Sequence, residues 1–239
     1  MIREFENLDG ALLVDKPAGP TSHDIVNEIR RRFDIKKVGH AGTLDPNATG
    51  LLIILLGRGT KLSEKLMSSD KVYEGTVKFG EETDSYDADG ELVASLPVMP
   101  MTVDELNDAA DSFVGDIMQE PPMVSAVKQG GVPLYKLARK GIEVERKARL
   151  IHVYRFTFSR YEEPIGWFRV ACTKGTYVRS LAHDLGQKLG CGAHLETLRR
   201  VTSGRFEVED AVKFEDVMQM EERELEKLVL PMLKLAAAE

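Results

Sequence analysis

The stretch Val38–Leu56, VGHAGTLDPNATGLLIILL, decides how the chain is read. It opens as a loop punctuated by Gly39, Gly42, Pro46 and Gly50. It closes as an apolar run, Leu51 to Leu56, that stops at Gly57. An apolar run of that length between glycines predicts a strand buried on both faces. At its mouth stands Asp45, with no other acidic residue between Asp34 and Glu64. An Asp-Pro pair commonly builds a turn or a helix cap. Set before a buried strand, the same carboxylate can instead face a cleft as an unpaired charge.

Outward from that stretch, composition sets bounds. A chain of 239 residues with 43% hydrophobic content can bury a real core. The opening MIREFENLDG lacks an apolar signal region, and the longest apolar run is too short to cross a bilayer. Cys172 and Cys191 are the only cysteines, so reduced thiols in the cytoplasm are expected rather than a disulfide framework. The net charge is −7, but it is unevenly spread. Glu81 to Glu120 holds twelve acidic residues and no basic one. Basic residues crowd Ile29–His40, Lys128–Arg149 and Arg169–Arg205. Each run alone reads as a solvated face. Together they suggest a partitioned surface whose local field suits a polyanion.

Periodicity gives the elements. Ala11–Val14 reads as a strand closed by the turn residues Asp15–Pro20. Ser22 is placed to cap a helix with Ile25, Val26, Ile29 and Phe33 inward. Lys61–Met67 has helical spacing. Lys71–Phe79 alternates, with Tyr73, Gly75, Val77 and Phe79 sharing a face. Thr102-x-x-Glu105 is a capping box for a helix with Val103, Leu106, Ala110 and Phe113 inward and Gly115 at its end. Ile151–Ser159 alternates, placing His152, Tyr154, Phe156 and Phe158 together. Trp167–Cys172 is a further strand, and Val178–Leu189 a helix ended by Gly190. Residues 208–239 are acidic with a helical pattern. Strands with half-polar faces, irregularly alternating with helices, predict an α/β protein of α+β type, its sheet mixed and largely antiparallel. The whole chain, 1–239, reads as a single domain.

Several chemistries find no support. Phosphate-loop, dinucleotide and nucleophile-elbow signatures are missing. Cys172, His183, Cys191 and His194 form no paired C-x-x-C, so a metal site is not expected there. Satisfied histidines and small buried thiols are the simpler reading.

A set of motifs in order along the chain resembles the bacterial TruB-type tRNA pseudouridine synthases. They are Leu13–Pro17 (LVDKP), Val38–Pro46 with Thr49-Gly50, Lys71–Gly75 (KVYEG) and Pro121–Met123 with Ser125-Ala126. Pro133–Tyr135 with Ala138–Gly141, Lys174–Arg179 (KGTYVR), and Gly192–Leu195 with Leu198–Arg200 complete the set. The resemblance implies a pseudouridine synthase fold with flanking helices and a central active-site cleft. It implies Asp45 as catalytic nucleophile, with no metal or cofactor. A carboxylate suits a reaction that detaches uracil from C1′ and rejoins it through C5, because it can add to an electrophilic carbon and leave again. Such a group must stay ionised in a site that excludes water, and Arg179 is the family's partner for that purpose.

By the same resemblance Tyr73 stacks on the everted uracil, Tyr177 and Leu198 line the pocket, and Lys16 and Lys61 lie near the site or near phosphates. His40 contacts the RNA loop, with a structural histidine as the competing account. The segment at about 119–149 corresponds to an RNA-gripping insertion, and its composition suits splayed bases and backbone contacts. The implied substrate is the T-loop uridine of tRNA, position 55 in the family's usual substrate. The implied partner is therefore the tRNA T-arm, with no membrane and a monomeric chain. Two departures stand out. Val124 occupies a place where relatives often have tyrosine, and the residues after Gly204 are too few for the separate PUA-type domain many relatives carry. The rival readings are an RNA-binding or RNA-folding module without activity, and a synthase acting on another RNA.

Overall fold

The computed structural model describes residues 8–123, 128–129, 132–133 and 144–236. In chain order the first half forms β1 (Gly10–Lys16), α1 (Ser22–Arg32), β2 (Val38–His40), β3 (Thr49–Leu56), a 3-10 turn (Gly57–Leu62) and α2 (Ser63–Met67). There follow β4 (Lys71–Phe79), β5 (Glu81–Thr83), β6 (Leu92–Ser95), α3 (Val103–Asp111), β7 (Gly115–Gln119), β8 (Lys128–Gln129) and β9 (Val132–Pro133). Next come β10 (Arg149–Glu162), β11 (Ile165–Cys172), α4 (Val178–Leu189), β12 (Ala193–Ser203), β13 (Phe206–Glu207) and β14 (Val212–Lys213). The chain ends in α5 (Phe214–Gln219), α6 (Glu222–Leu228), β15 (Leu230–Pro231) and α7 (Met232–Ala236). Two compact units result: Met1–Tyr73 with Arg199–Glu239, and Glu74–Leu198.

In the first unit β3 is the centre. It pairs antiparallel with β1 from Gly10↔Leu56 to Lys16↔Gly50 and with β2, and parallel with β12 at Arg199↔Thr49 and Arg200↔Gly50. Leu51 to Leu56 are all buried, as the apolar run predicts. One face packs Leu51, Ile53 and Leu55 with Ala11, Leu13, Leu66, Val201, Phe206 and Leu235. Each such side chain removed from water contributes about 1.5–3 kcal/mol. α1 buries Ile25, Val26 and Ile29 and packs against β2 and α5. Its cap is Thr21, not Ser22. Thr21 Oγ1 accepts from Asp24 N at 3.0 Å, and the Asp24 carboxylate accepts from Thr21 N at 2.9 Å. The capping box one residue upstream wins because it satisfies two backbone donors reciprocally. Ser22 is thereby freed for another contact.

Residues after Gly204 are not simply helical. Val14 pairs with Val212 in parallel, and Ala11 pairs with Leu230 in antiparallel. Two short strands thus cover the edge of β1 that β3 leaves open, removing a row of unpaired backbone groups. Strands of two residues carry no period-2 signal, which is why the sequence pattern reads only as helix.

In the second unit β10 pairs antiparallel with β11 and with β7, and α3 packs on β10 and on α4. Phe79, Phe156, Phe158 and Phe168 form a ring cluster in its core. The predicted face His152, Tyr154, Phe156, Phe158 is broken. The β10–β11 register slips between Val153 and Arg155. Ile151 and Val153 are therefore buried ahead of the bulge and Phe156 and Phe158 after it, while Tyr154 is 51% exposed. An extra residue in one strand inverts the alternation downstream. α3 opens on the Thr102–Glu105 capping box as expected. It closes at Ser112, however, so Phe113 lies beyond it, and Gly115 (φ +104°) begins β7 instead of ending α3. The helical spacing of Lys61–Met67 resolves into the end of the 3-10 turn and α2. Gly190, at φ +75°, ends α4 as expected. In both units the sheet is mixed and mostly antiparallel, with helices packed on it. No described helix is long and apolar enough to cross a membrane.

Candidate active site

The antiparallel β2–β3 pair leaves residues 41–48 as the loop at its open end, and Asp45 sits half-buried in it. Every part of this loop is fastened. Ser22 Oγ donates to Leu44 O at 3.0 Å and accepts from Leu44 N at 2.9 Å. Gly19 N donates to Pro46 O, and Ala48 N donates to Asp45 O at 3.1 Å. The Asp-Pro turn expected from sequence therefore forms, and it serves to present the carboxylate.

Two buried cations complete the clamp. Lys16, at the end of β1, is fully buried, and its Nζ donates to Pro17 O (2.8 Å), Pro46 O (2.7 Å) and Ala48 O (2.7 Å). An ammonium has three donors, and all three end on carbonyls. Arg200, on β12 and 1% exposed, donates from Nε to Leu51 O (2.8 Å), from Nη1 to Thr43 O (3.5 Å) and from Nη2 to Gly42 O (3.1 Å). Gly50, at φ +96°, admits this strand. A Cβ there would stand 2.3 Å from Arg200 O.

Burial drives the Lys16 pKa down to about 8, and the charge of Arg200 pushes the same way, while the negative charge of Asp45 opposes both. Lys16 thus acts on Asp45 through its field. His40 is held below its usual pKa, first by burial and then by the charges of Arg200 and His23. Its buried Nδ1 finds no hydrogen-bond partner among the described residues. Lys61 is exposed on the 3-10 turn, where its charge helps hold the Asp9 carboxyl low beside Arg58. Tyr73, on β4, is half-buried at the end of this unit. Of the sequence-predicted residues in this unit, Asp45 and Lys16 are brought together, with His40 joined to them through Arg200.

The second unit holds the other candidates. Arg179, in the first turn of α4, is 4% exposed. Its Nη1 lies 3.1 Å from Asp87 Oδ2 and donates to Ser85 O at 3.2 Å. Asp87 Oδ1 accepts in turn from Ser85 Oγ (2.5 Å) and Asp89 N (3.1 Å). Tyr177 precedes α4 and is gripped by the buried Gln119 side chain: Nε2 donates to Tyr177 O (3.1 Å), and Oε1 accepts from Tyr177 N (2.8 Å). Leu198 is half-buried on β12. Of the 119–149 insertion, residues 124–127, 130–131 and 134–143 lie outside the described residues, among them Val124 and Tyr135. At its base Arg146 donates to Pro121 O at 3.3 Å and lies 3.8 Å from Glu120.

Ser22, Arg200, Asp87 and Gln119 brace the candidate residues and are ones that sequence reasoning passes over. Only Arg200, inside a recognised motif, carries a local signal. The two histidines near the cysteines in sequence have other places. His194 contacts Glu81 O and Glu196 at 3.1 Å each, and His183 stacks on Tyr86. No group of three or more His, Cys, Asp or Glu among the described residues is arranged to hold a metal ion.

The architecture and sequence are similar to known proteins. The model of the TruB family pseudouridylate synthase N-terminal domain matches residues 30–178, and that of the tRNA pseudouridylate synthase B C-terminal domain matches residues 179–236. A tRNA pseudouridine synthase B of Opitutus terrae is 52% identical over 99% of this chain and 98% of its own length. That of Syntrophotalea carbinolica is 47% identical over 93% of this chain and 73% of its own. The crystal structure of a Cbf5-Nop10-Gar1 complex contains a chain similar to this one at TM-score 0.76 and 30% identity. The match covers 97% of this chain, which spans 63% of that one. With both domain models and close relatives along nearly its whole length, this chain belongs to the TruB family of pseudouridylate synthases.

Proposed function

We propose that this chain converts the T-loop uridine of tRNAs, position 55 in the family's usual substrate, to pseudouridine, with Asp45 as its nucleophile. Family membership and relatives named tRNA pseudouridine synthase B make it an isomerase acting on uridine in tRNA. The observation that carries the finer reading is the clamp on the Asp45 loop. Two buried cations spend their hydrogen bonds on its carbonyls, and the field of Lys16 favours the ionised carboxylate.

In the reaction the bond from N1 to C1′ breaks, the base turns, and C5 bonds to C1′. C5 loses a proton and N1 gains one, so atoms and electrons balance without an oxidant or cofactor. Asp45 adds to the electrophilic carbon and is later expelled. Arg179 supplies the opposite charge that the family pairs with this carboxylate. Tyr73 offers its ring to the everted uracil, and Tyr177 and Leu198 wall the pocket. His40 touches the RNA loop and Lys61 the phosphates. Lys16, fully buried with its donors spent, positions the Asp45 loop rather than touching substrate. The whole chain, 1–239, serves as one catalytic domain whose cleft takes the T-arm, working as a monomer in the cytoplasm.

Tritium release from C5-labelled tRNA tests the reading. Asp45→Asn abolishes release while tRNA binding and the fold persist; normal turnover in that variant ends the nucleophile assignment. Mapping pseudouridine in total RNA from cells lacking the protein then shows whether position 55 of tRNAs, or another RNA, loses the modification.

A further inference from the structure

Tyr86 is unusual in three respects. Its backbone sits at φ +66°, where bulky residues are genuine outliers. Its ring stacks on His183, with centroids 3.9 Å apart and planes 15° from parallel. Its neighbour in sequence, Asp87, is the carboxylate that faces Arg179. His183 follows Arg179 by four residues on α4, so the two side chains leave one face of the helix. The buried Nδ1 of His183 has no hydrogen-bond partner among the described residues; at that nitrogen the ring is held by stacking. Across the turn, Leu195 N donates to Tyr86 O at 3.0 Å and Ala88 N donates to Leu195 O at 3.1 Å. The backbone on both sides of Asp87 is thus latched to β12. The ring pair is the additional tie to α4.

We propose that Tyr86 and His183 are positioning residues: their stacked rings hold the Ser85–Asp89 turn against α4 and so fix the Asp87 carboxylate opposite the Arg179 guanidinium. The inference rests on the reading of Arg179 as part of the uridine site. A glycine would occupy the left-handed conformation at no steric cost. A tyrosine there contributes through its ring, and that ring stacks on His183 of the helix that bears Arg179.

Turnover of tRNA by wild type, Y86G, Y86F, H183A and the Y86G/H183A double variant tests this. Y86G relieves the backbone and removes the ring. It is expected to lower kcat about tenfold at unchanged KM for tRNA, short of the ~100-fold that a 1 Å misplacement can cost. H183A behaves like Y86G, and the double variant is no worse than either single, because one stack is lost only once. Y86F keeps the stack and stays within about twofold of wild type. A Y86G enzyme with wild-type kcat, a change confined to KM, or multiplying effects in the double variant overturns the proposal. Wild type and D45N run alongside. A wild type that releases no tritium sinks the site reading and this proposal with it, whereas an active wild type beside an equally active Y86G sinks this proposal alone.

Discussion

The two units handle buried cations in opposite ways. In the first, Lys16 and Arg200 direct their hydrogen bonds to neutral carbonyls, four of the six on the loop that carries Asp45. In the second, Arg179 meets the carboxylate of Asp87 as well as a carbonyl. A cation bonded to carbonyls keeps its charge uncompensated by those bonds, so its field reaches the neighbouring carboxylate. A cation paired with a carboxylate is fixed in direction, with much of its charge answered locally. The first arrangement brings a positive field to Asp45 and fixes a loop conformation. The second sets the aim of a single planar group.

Lys16→Met strikes the first arrangement and should have the largest effect. It leaves Pro17 O and Ala48 O without that donor, lowering stability by about 2 kcal/mol by denaturant titration. It also lowers kcat about 100-fold as the Asp45 loop loosens. Retained kcat in that variant would break the contrast between the units. Asp87→Asn strikes the second. It keeps acceptors for Ser85 and Asp89 but removes the charge facing Arg179, and is expected to cost about tenfold in kcat and ~1–2 kcal/mol.

A pH series sharpens the comparison further. The Lys16 pKa lies at about 8 in the folded state, against an ordinary value of 10.5. Between those values the unfolded chain holds a proton that the folded one has released, so this residue's contribution makes stability rise with pH there. Turnover falls over the same alkaline range as the ammonium beside Asp45 is lost. Lys16→Met should remove both trends, whereas Asp87→Asn should leave both in place. The smallest effect is expected from Gln119→Leu, which releases both backbone groups of Tyr177 at a cost of about 1 kcal/mol and a few-fold in kcat.

Much of this is legible in the chain itself. Leu51–Leu56 announces a doubly buried strand, Thr102-x-x-Glu105 a helix start, Gly190 a helix stop, and the LVDKP, GTLDP and KGTYVR segments the family. What escaped reading depends on partners distant in sequence. Ser22 looks like a cap, yet serves Leu44 because the Thr21–Asp24 box takes the helix start. Arg200 is one charge in a basic run until the fold inserts it beneath Gly42 and Thr43. Asp87 is one of twelve acidic residues between Glu81 and Glu120, and nothing local distinguishes it. The bulge at Val153–Arg155 is invisible for another reason: alternation defines a face only while the register holds.

The edge of β1 that Val212 and Leu230 close has a consequence for biogenesis. The strand ending in Lys16 is synthesised well before its clamp partner Arg200, 184 residues on (200 − 16), and before the Val212 and Leu230 strands that close its edge. A nascent chain therefore already contains the Asp45 loop long before it can clamp it. A product cut short before β12 would carry the whole Asp45 loop yet lack Arg200, one of the two buried cations that clamp it.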